Sequence, residues 1–254
     1  MRLDRLNSME QHILQHGTAS LEDLATRFHI STNTVRRDIA ELLSRGQIKK
    51  VYGGVAACAT PALPPVSVRA ERERDAKREI GRLAAELVED HATVFLDSGS
   101  TTICILPHLA NKNGVTVITH SLSALYEASK YPELRVIALG GLYSAPTSSY
   151  VGVSTLETLS RMSIDLIFIA ATGVSLERGL TNTTYFEAEI KRTVAKHNKH
   201  ILLMADHSKF DHAALFTFCE FRDLSGIITD RKPAKPYLDA IEQNGIRLVY
   251  PEEN

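Results

Sequence analysis

Three stretches of this 254-residue chain combine side-chain types and spacings that can do chemistry. The first is Asp97-Ser98-Gly99-Ser100-Thr101-Thr102, which follows the apolar run Val94–Leu96 and leads straight into a helical pattern. A tight turn at Gly99 makes backbone N–H groups converge, the hydroxyls add donors, and a helix start with free N–H groups attracts an anion, a phosphate above all. No Gly-Lys-Ser/Thr follows, so this is not a nucleotide-hydrolysing loop. The same residues also suit a capped strand-to-helix turn with no ligand, and the loop by itself does not choose between the two. The second stretch, Asp206-His207-Ser208-Lys209-Phe210, puts a cation and polar groups just past another apolar run. The third, Gly179-Leu180-Thr181 followed by Glu187, Ala188 and Lys191, places polar groups at a loop and a helix start. Taken singly, Lys209 reads as a surface ammonium and Glu187 as a solvated carboxylate.

A different chemistry is legible near the start. Between Ser31 and Gly46, Val35, Ile39, Leu42 and Leu43 form an apolar stripe. The opposite face carries Asn33, Arg37, Ala40 and Ser44, flanked by Thr34 and Arg36. Arg grips guanine O6 and N7 bidentately, Asn reads adenine, and Thr and Ser hydroxyls reach phosphates. A further apolar stripe (Leu21, Leu24, Ala25, Phe28), capped by Ser20, precedes it with only His29 and Ile30 between, a tight helix-turn-helix. Leu6, Met9, Ile13 and Leu14 predict a helix before that, stopped at Gly17. After Gly46, the run Gln47 to Val55 reads as a hairpin-like wing with Lys49, Lys50 and Tyr52 ahead of Gly53-Gly54. A polar helix face is ordinarily just solvated. Here three helices, a tight turn and a basic wing agree on DNA binding.

Composition sets the bounds. Hydrophobic residues are 44% and charged residues 23%, and 29 Lys/Arg against 30 Asp/Glu give a net charge of −1. That balance belongs to a globular chain, and any nucleic-acid binding must be local. Residues 1–55 hold 8 Lys/Arg and 6 Asp/Glu, whereas residues 66–254 hold 21 and 24. Between them Ala56–Pro65 is uncharged and contains three prolines, the composition of a semi-rigid linker. Three cysteines, Cys58, Cys104 and Cys219, form no CxxC pair, which argues against a disulfide framework or a cysteine zinc site and fits a reducing cytoplasm. The opening residues carry no apolar signal core, and no stretch approaches the ~18 uncharged residues of a bilayer span. The ten histidines show no HExxH pattern and no ligand cluster, so neither a metal nor a cofactor is expected.

Beyond the linker, apolar runs at Val94–Leu96, Val115–Ile118, Arg135–Leu139, Ile164–Ala170, Ile201–Met204 and Gly226–Ile228 alternate with helical stretches near 68–89, 101–111, 121–130, 154–162, 185–198 and 234–244. This alternation predicts an α/β domain on a mostly parallel sheet. The expected division is a winged helix-turn-helix over 1–57, a linker over 58–67 and an α/β effector-sensing domain over 68–254.

Ser31-Thr32-Asn33-Thr34-Val35-Arg36-Arg37-Asp38-Ile39, with Lys50-Val51-Tyr52-Gly53-Gly54-Val55, resembles the winged helix-turn-helix of DeoR-type bacterial transcriptional regulators. Tyr52 stands where that family often has His, and Ile39 where it has Leu. The DSGSTT loop, Gly140-Gly141, Glu187 with Lys191, the DHSKF turn and Thr229-Asp230 resemble the DeoR sensor domain in the same order. The resemblance implies a fold similar to ribose-5-phosphate isomerase and glucosamine-6-phosphate deaminase. It also implies a non-enzymatic repressor of a carbohydrate-metabolism operon, a homo-dimer or homo-tetramer in the cytoplasm, controlled by a phosphorylated sugar. DNA contacts then fall to Ser31, Thr32, Asn33, Thr34, Arg36, Arg37, Lys49, Lys50 and Tyr52. Effector contacts fall to Asp97, Ser98, Gly99, Ser100, Thr101, Thr102, Gly141, Glu187 and Lys209. His120 replaces a common Asn, and Ala170-Ala171-Thr172 replaces a more glycine-rich strand end, so effector identity does not carry over from a relative. The alternative is a sugar-phosphate isomerase or deaminase with an added DNA-binding head. A nonspecific architectural DNA binder fits poorly with so large an acidic α/β portion.

Overall fold

The computed structural model describes residues 2–16, 18–44, 46, 48–51, 54–57, 64–198 and 200–251. The chain divides into two compact units, Met1–Val68 and Arg69–Asn254.

In the first unit, α1 (Arg2–His16), α2 (Leu21–Phe28) and α3 (Thr32–Ser44) pack with a small antiparallel sheet of β1 (Thr18–Ser20), β2 (Ile48–Val51) and β3 (Gly54–Ala57). The Ser20 hydroxyl accepts from the Asp23 N–H (3.0 Å), which starts α2, and His29 ends it in the left-handed conformation with φ 52°. Ser31 repeats the device for α3, its hydroxyl accepting from the Thr34 N–H at 3.2 Å. These caps satisfy backbone groups that a helix leaves orphaned, and they hold the turn between the two helices short. Leu6, Met9, Ile13, Leu24, Val35, Ile39, Leu42, Ile48 and Val55 form the core. A charge lies inside it. Asp38 is fully buried and accepts from Arg5 Nε and NH2 at 2.9 and 2.8 Å. Val51 pairs with Gly54, so β2 and β3 pair as the expected hairpin, although Tyr52 and Gly53 lie outside the described residues. The expected helix stop at Gly17, and Cys58 to Leu63 of the expected linker, also lie outside them.

In sequence α4 (Val66–Glu71) runs across the boundary at Val68–Arg69, and α5 (Arg74–Glu86) follows it in the second unit. Here the structure corrects the single helix expected over 68–89. Glu73 sits at φ 50°, breaking the helix at a corner. Then follow β4 (Thr93–Leu96), a 3-10 turn (Thr102–Ile105) continued by α6 (Leu106–Leu109), β5 (Thr116–Thr119), α7 (Leu122–Ala128) and β6 (Arg135–Ala138). A hairpin of β7 (Leu142–Ser144) and β8 (Ser149–Val151) precedes α8 (Val153–Leu159), β9 (Leu166–Ile169), β10 (Gly173–Ser175), β11 (Gly179–Asn182) and α9 (Tyr185–His197). The chain finishes with β12 (Ile201–Met204), β13 (Phe216–Cys219), β14 (Gly226–Ile228), α10 (Lys235–Gln243) and β15 (Arg247–Val249).

Seven of these strands form one parallel sheet in the order β15-β14-β12-β9-β4-β5-β6. Both faces are covered. Phe95, Ile167, Ile169 and Leu203 point into one core, while Val94, Leu96, Phe168, Leu202 and Met204 point into the other, the period-two alternation of a doubly covered strand. From β4 the chain winds outward through β5 and β6, then returns to β9 and winds the other way. The switch point therefore lies between β4 and β9, where open parallel sheets bind ligands beyond their carboxyl ends. Those ends are Asp97 and Ala170. Among the described residues no helix is long and apolar enough to cross a membrane.

Candidate functional site

In the first unit, α3 turns Val35, Asp38, Ile39 and Leu42 inward. Thr32, Asn33, Arg36, Arg37 and Ala40 are exposed, as are Ser31 before the helix and Lys49 and Lys50 on β2; Thr34 is half-buried. The Ser31 hydroxyl also meets Thr34 Oγ1 at 2.9 Å, so both side chains serve the helix start. The α3 face thus presents an amide, two guanidiniums and short polar groups near a helix N-terminus, the donors that reach base edges and backbone in a major groove.

In the second unit, the switch point holds a buried charge cluster. Asp97, fully buried, meets Lys191 Nζ at 3.0 Å and accepts from the Ala170 N–H at 3.2 Å through Oδ2. Lys191 also donates to the Ala170 carbonyl at 2.6 Å and lies 5.1 Å from the Phe218 ring centre. On the other side, His120 Nε2 faces Asp97 Oδ1 at 3.5 Å; neither atom has a hydrogen-bond partner among the described residues, so the contact is electrostatic. His120 stacks on Phe95 and its Nδ1 lies 3.0 Å from the Tyr150 carbonyl, which orients the ring. Burial alone would push the Asp97 carboxyl up, but the Lys191 ammonium and the His120 ring reverse this and hold it well below the usual carboxylate range. Burial alone would lower His120; the neighbouring Asp97 and Glu187 carboxylates raise it instead.

Glu187 closes the cluster from α9. Its two oxygens accept from Ser98 Oγ and Ser149 Oγ, each at 2.5 Å, and Ser149 is in turn 2.8 Å from Thr147 Oγ1. The β7–β8 hairpin is thereby tied to the loop after β4. Glu187 and Lys191 fall one helical turn apart on α9, which aims both at the same strand ends. Asp97, His120 and Glu187 bring ligand-type atoms within 4.8 Å of one another. The positive charge that a metal would bring is already supplied by Lys191 and by Arg69, a mostly buried guanidinium that feels Glu187 and Asp97.

The loop itself is tightly built. A Cβ on Gly99 would sit 2.3 Å from the Ala170 Cβ, so only glycine lets β4 and β9 end this close together. Thr102 Oγ1 donates within the loop, to the Asp97 and Gly99 carbonyls at 2.8 and 2.9 Å, and Ser98 donates to Glu187. Their hydroxyl protons are committed internally. Ser100 and Thr101, both buried, make no side-chain hydrogen bond among the described residues. Lys209 lies 3.5 Å from Asp206 Oδ2 and donates to Ser208 Oγ at 2.8 Å; Asp206 also accepts from the Ser208 N–H at 3.0 Å and from its hydroxyl. Gly141 stands apart, at φ 152° in the turn into β7, where a Cβ would strike Thr155 Oγ1 and the Val151 carbonyl. Of the sequence-derived residues, Asp97, Ser98 and Glu187 therefore join one network, and Gly141 does not touch it. The residues that sequence reasoning left outside the candidate set are Lys191, His120, Ser149, Thr147 and Arg69. The four-residue spacing from Glu187 was the signal for Lys191; nothing local marked Ser149 or Arg69.

The comparisons with known proteins cover nearly the whole chain. Residues 5–60 match the DeoR-like helix-turn-helix domain, and residues 72–231 match the DeoR C terminal sensor domain. The chain is 41% identical over 248 residues to the HTH-type transcriptional regulator IolR of Bacillus subtilis (strain 168), covering 98% of this chain and 99% of that protein. It is 29% identical to the HTH-type transcriptional repressor GlcR of the same organism, over 99% of this chain and 97% of that protein. To the glycerol-3-phosphate regulon repressor of Escherichia coli (strain K12) it is 26% identical, over 96% and 97%. Among solved structures, ribose 5-phosphate isomerase A from Methanocaldococcus jannaschii matches with a TM-score of 0.40 and 20% identity, over 54% of this chain and 55% of the isomerase.

Proposed function

The chain belongs to the DeoR family of transcriptional regulators, and from that premise we propose that it represses a carbohydrate-metabolism operon under control of a phosphorylated sugar. The observation that carries the DNA-binding half is the α3 face, where Asn33, Arg36 and Arg37 are exposed opposite buried Val35, Ile39 and Leu42. Arg37 and Asn33 read bases, Arg36 and the hydroxyls of Ser31, Thr32 and Thr34 hold register, and Lys49, Lys50 and Tyr52 of the wing grip the backbone. The protein acts in the cytoplasm on double-stranded operator DNA as a homo-dimer or homo-tetramer, because one winged unit buries too little DNA for operator-grade affinity and paired units match repeated half-sites.

The effector's phosphate sits on the backbone N–H groups of Ser98 to Thr102 with the hydroxyls of Ser100 and Thr101, and Lys209 is its counter-charge. Asp97 and Glu187 address sugar hydroxyls, since carboxylates accept those protons and repel phosphate. Gly141 remains an effector residue only through the turn it shapes. Effector and operator are coupled only if the effector prefers one of two arrangements, which the proline-bearing linker passes on as a reorientation of the winged units.

The test has two arms. DNA selected from a random pool by the full-length protein is titrated with wild type and variants. Arg37→Ala should cost about 1–3 kcal/mol and relax base preference, whereas Lys50→Ala should weaken binding to all sequences alike. Arg36→Ala and Arg37→Ala proteins that footprint like wild type would sink the α3 assignment. In the second arm, sugar phosphates are screened by thermal shift, because a ligand specific to the native state raises its melting temperature by mass action. Operator affinity unchanged by the best stabilising compound would remove the sensor reading.

A further inference from the structure

The seven-stranded sheet ends at β15 on one side and at β6 on the other, and the two edges are finished differently. An open edge is a row of unpaired N–H and C=O groups, which proteins ordinarily blunt with charge, proline or a covering element. β15 opens on exposed Arg247, its Leu248 and Val249 are half-buried, and Pro251 follows two residues on. β6 carries a charge only at Arg135, followed by Val136, Ile137 and Ala138, and all four residues are exposed.

The register shows that neither face of β6 is covered. Val136 pairs with Val117, which lies in the core that holds Ala124 and Ala128 of α7. Ile137 pairs with Ile118, which lies in the other core with Val151 of β8 and Leu159 of α8. The two residues stand on opposite faces, yet they are 38 and 40% exposed, so both covering layers stop short of the last strand. The apolar surface continues past Gly140-Gly141 into β7, where Leu142 and Tyr143 are 70 and 48% exposed. From Pro132 to Tyr143 only Leu134 and Leu139 are buried. The rest of that stretch offers on the order of 800 Å², the area each partner gives to a standard interface. The backbone is also unspent. The Arg135 and Leu139 N–H groups donate inward, to the Val115 and Thr119 carbonyls at 3.1 and 2.9 Å. Successive residues of a strand turn their polar groups to opposite sides, so those of Val136 and Ala138 face the free edge. The Leu134 N–H is taken by the Tyr131 carbonyl at 3.1 Å.

An occupant must therefore supply a strand and apolar cover on both faces at once. A single peptide strand brings no covering layer, whereas a second copy of this edge brings both. We propose that β6 is the joint of a homodimer, pairing antiparallel with β6 of a second copy about a two-fold axis normal to the sheet. This rests on the homo-oligomer of the proposed function and gives it a location. Such an axis keeps each residue on its own face and makes the joint self-complementary. Centred on Ile137, it sets Val136 opposite Ala138 of the second copy and Ala138 opposite Val136. Both outward-turned residues then exchange N–H···O=C bonds, and Ile137 meets its own copy. Centring on Val136 would pair Ala138 with Leu134, whose N–H is already engaged. In the Ile137 register the two Arg135 residues lie about 14 Å apart along the joint, so no like charges meet.

The experiment is sedimentation velocity on the full-length protein at micromolar concentration, with circular dichroism to verify folding. Wild type should sediment as a dimer or as an assembly of dimers. Val136→Pro removes an outward donor and leaves the ladder to β5 intact, and Ile137→Lys sets like charges face to face on the axis. Each should weaken association at least tenfold. Ile137→Cys should form an interchain disulfide on mild oxidation, since facing Cα atoms of a non-hydrogen-bonded pair lie about 4.5 Å apart. Glu89→Cys, exposed between α5 and β4, is the control for random cross-linking. A monomeric wild type overturns both this joint and the homo-oligomer. Association kept at wild-type strength by Val136→Pro and Ile137→Lys overturns the joint and leaves the homo-oligomer standing. If those two variants do not fold, Ile137→Cys decides, and cross-linking no greater than that of Glu89→Cys overturns the joint.

Discussion

Replacing Lys191 by Met tests whether the charge cluster at the switch point is the electrostatic centre of the sensor unit. Methionine keeps most of the side-chain volume and removes only the ammonium. Asp97 loses a partner at 3.0 Å, and the Ala170 carbonyl loses a donor at 2.6 Å. Breaking one side of a buried pair costs about 3–5 kcal/mol. Asp97 keeps the Ala170 N–H and the nearby His120 ring, which places this variant near the lower end, at about 3 kcal/mol. For a unit of this size that is a fall in melting temperature of about 6–12 °C. The sign with pH follows from the carboxyl. In wild type its pKa is depressed, so it contributes stability above the unfolded value that is lost as pH falls through the folded one. Without Lys191 burial raises that pKa, and the cost to the variant should be largest near neutrality and shrink as acid protonates Asp97. The chain has no tryptophan, so scanning calorimetry is the suitable assay. Asp97→Asn in the Lys191→Met background should recover at least about 1 kcal/mol, as coupled neighbours do. A loss below about 1 kcal/mol for Lys191→Met at pH 7, with no recovery in the double variant, would refute the reasoning.

Gly99→Ala should lose about 1–3 kcal/mol by overpacking, and Ala170→Gly in the same protein should restore most of it, read by calorimetry. Asp38→Ala leaves the Arg5 guanidinium without its acceptors. It should destabilise the winged unit by about 2–4 kcal/mol while the sensor unit's thermal transition stays in place. Lys77 is buried and has a folded pKa of about 8 against an ordinary 10.5, so the unfolded chain binds more protons between these values. Wild type should therefore gain about 1–2 kcal/mol relative to Lys77→Met as pH rises from 8 to 10, screening included; denaturant titrations at the two pH values check it.

The α3 surface was readable because helix periodicity and two capping serines assign each residue to a face without any knowledge of the rest of the fold. The parallel strands were readable as apolar runs buried on both sides. The β7–β8 hairpin and the antiparallel β10-β11-β13 sheet were not, because strands of three or four residues are too short for a two-residue alternation to stand out from chance. The break at Glu73 falls within Ala70-Glu71-Arg72-Glu73-Arg74-Asp75, which holds no Gly or Pro; the seat of Lys77 on the Arg69 and Arg72 carbonyls belongs to tertiary structure. In the site, the loop and Glu187 stood out by type and position. The pairing of Asp97 with Lys191, and of Glu187 with Ser149, joins residues many positions apart that only the strand order β9-β4-β5 brings together.

That separation along the chain sets a timetable for synthesis. Asp97 leaves the ribosome long before Lys191, and a carboxylate cannot be enclosed in an apolar interior until its cation arrives. At typical translation rates of about 5–20 residues per second, the interval between the two residues is roughly 5–19 s. Through it the strands around Phe95 and Ile118 have no stable way to close over the strand ends. The winged unit, whose Arg5 and Asp38 emerge within seconds of each other, can be complete well before then. A nascent regulator thus carries a finished DNA-binding unit tethered to an unfinished sensor; α9 brings the cation that lets the chain close over Asp97, and β12, β14 and β15 then complete the sheet.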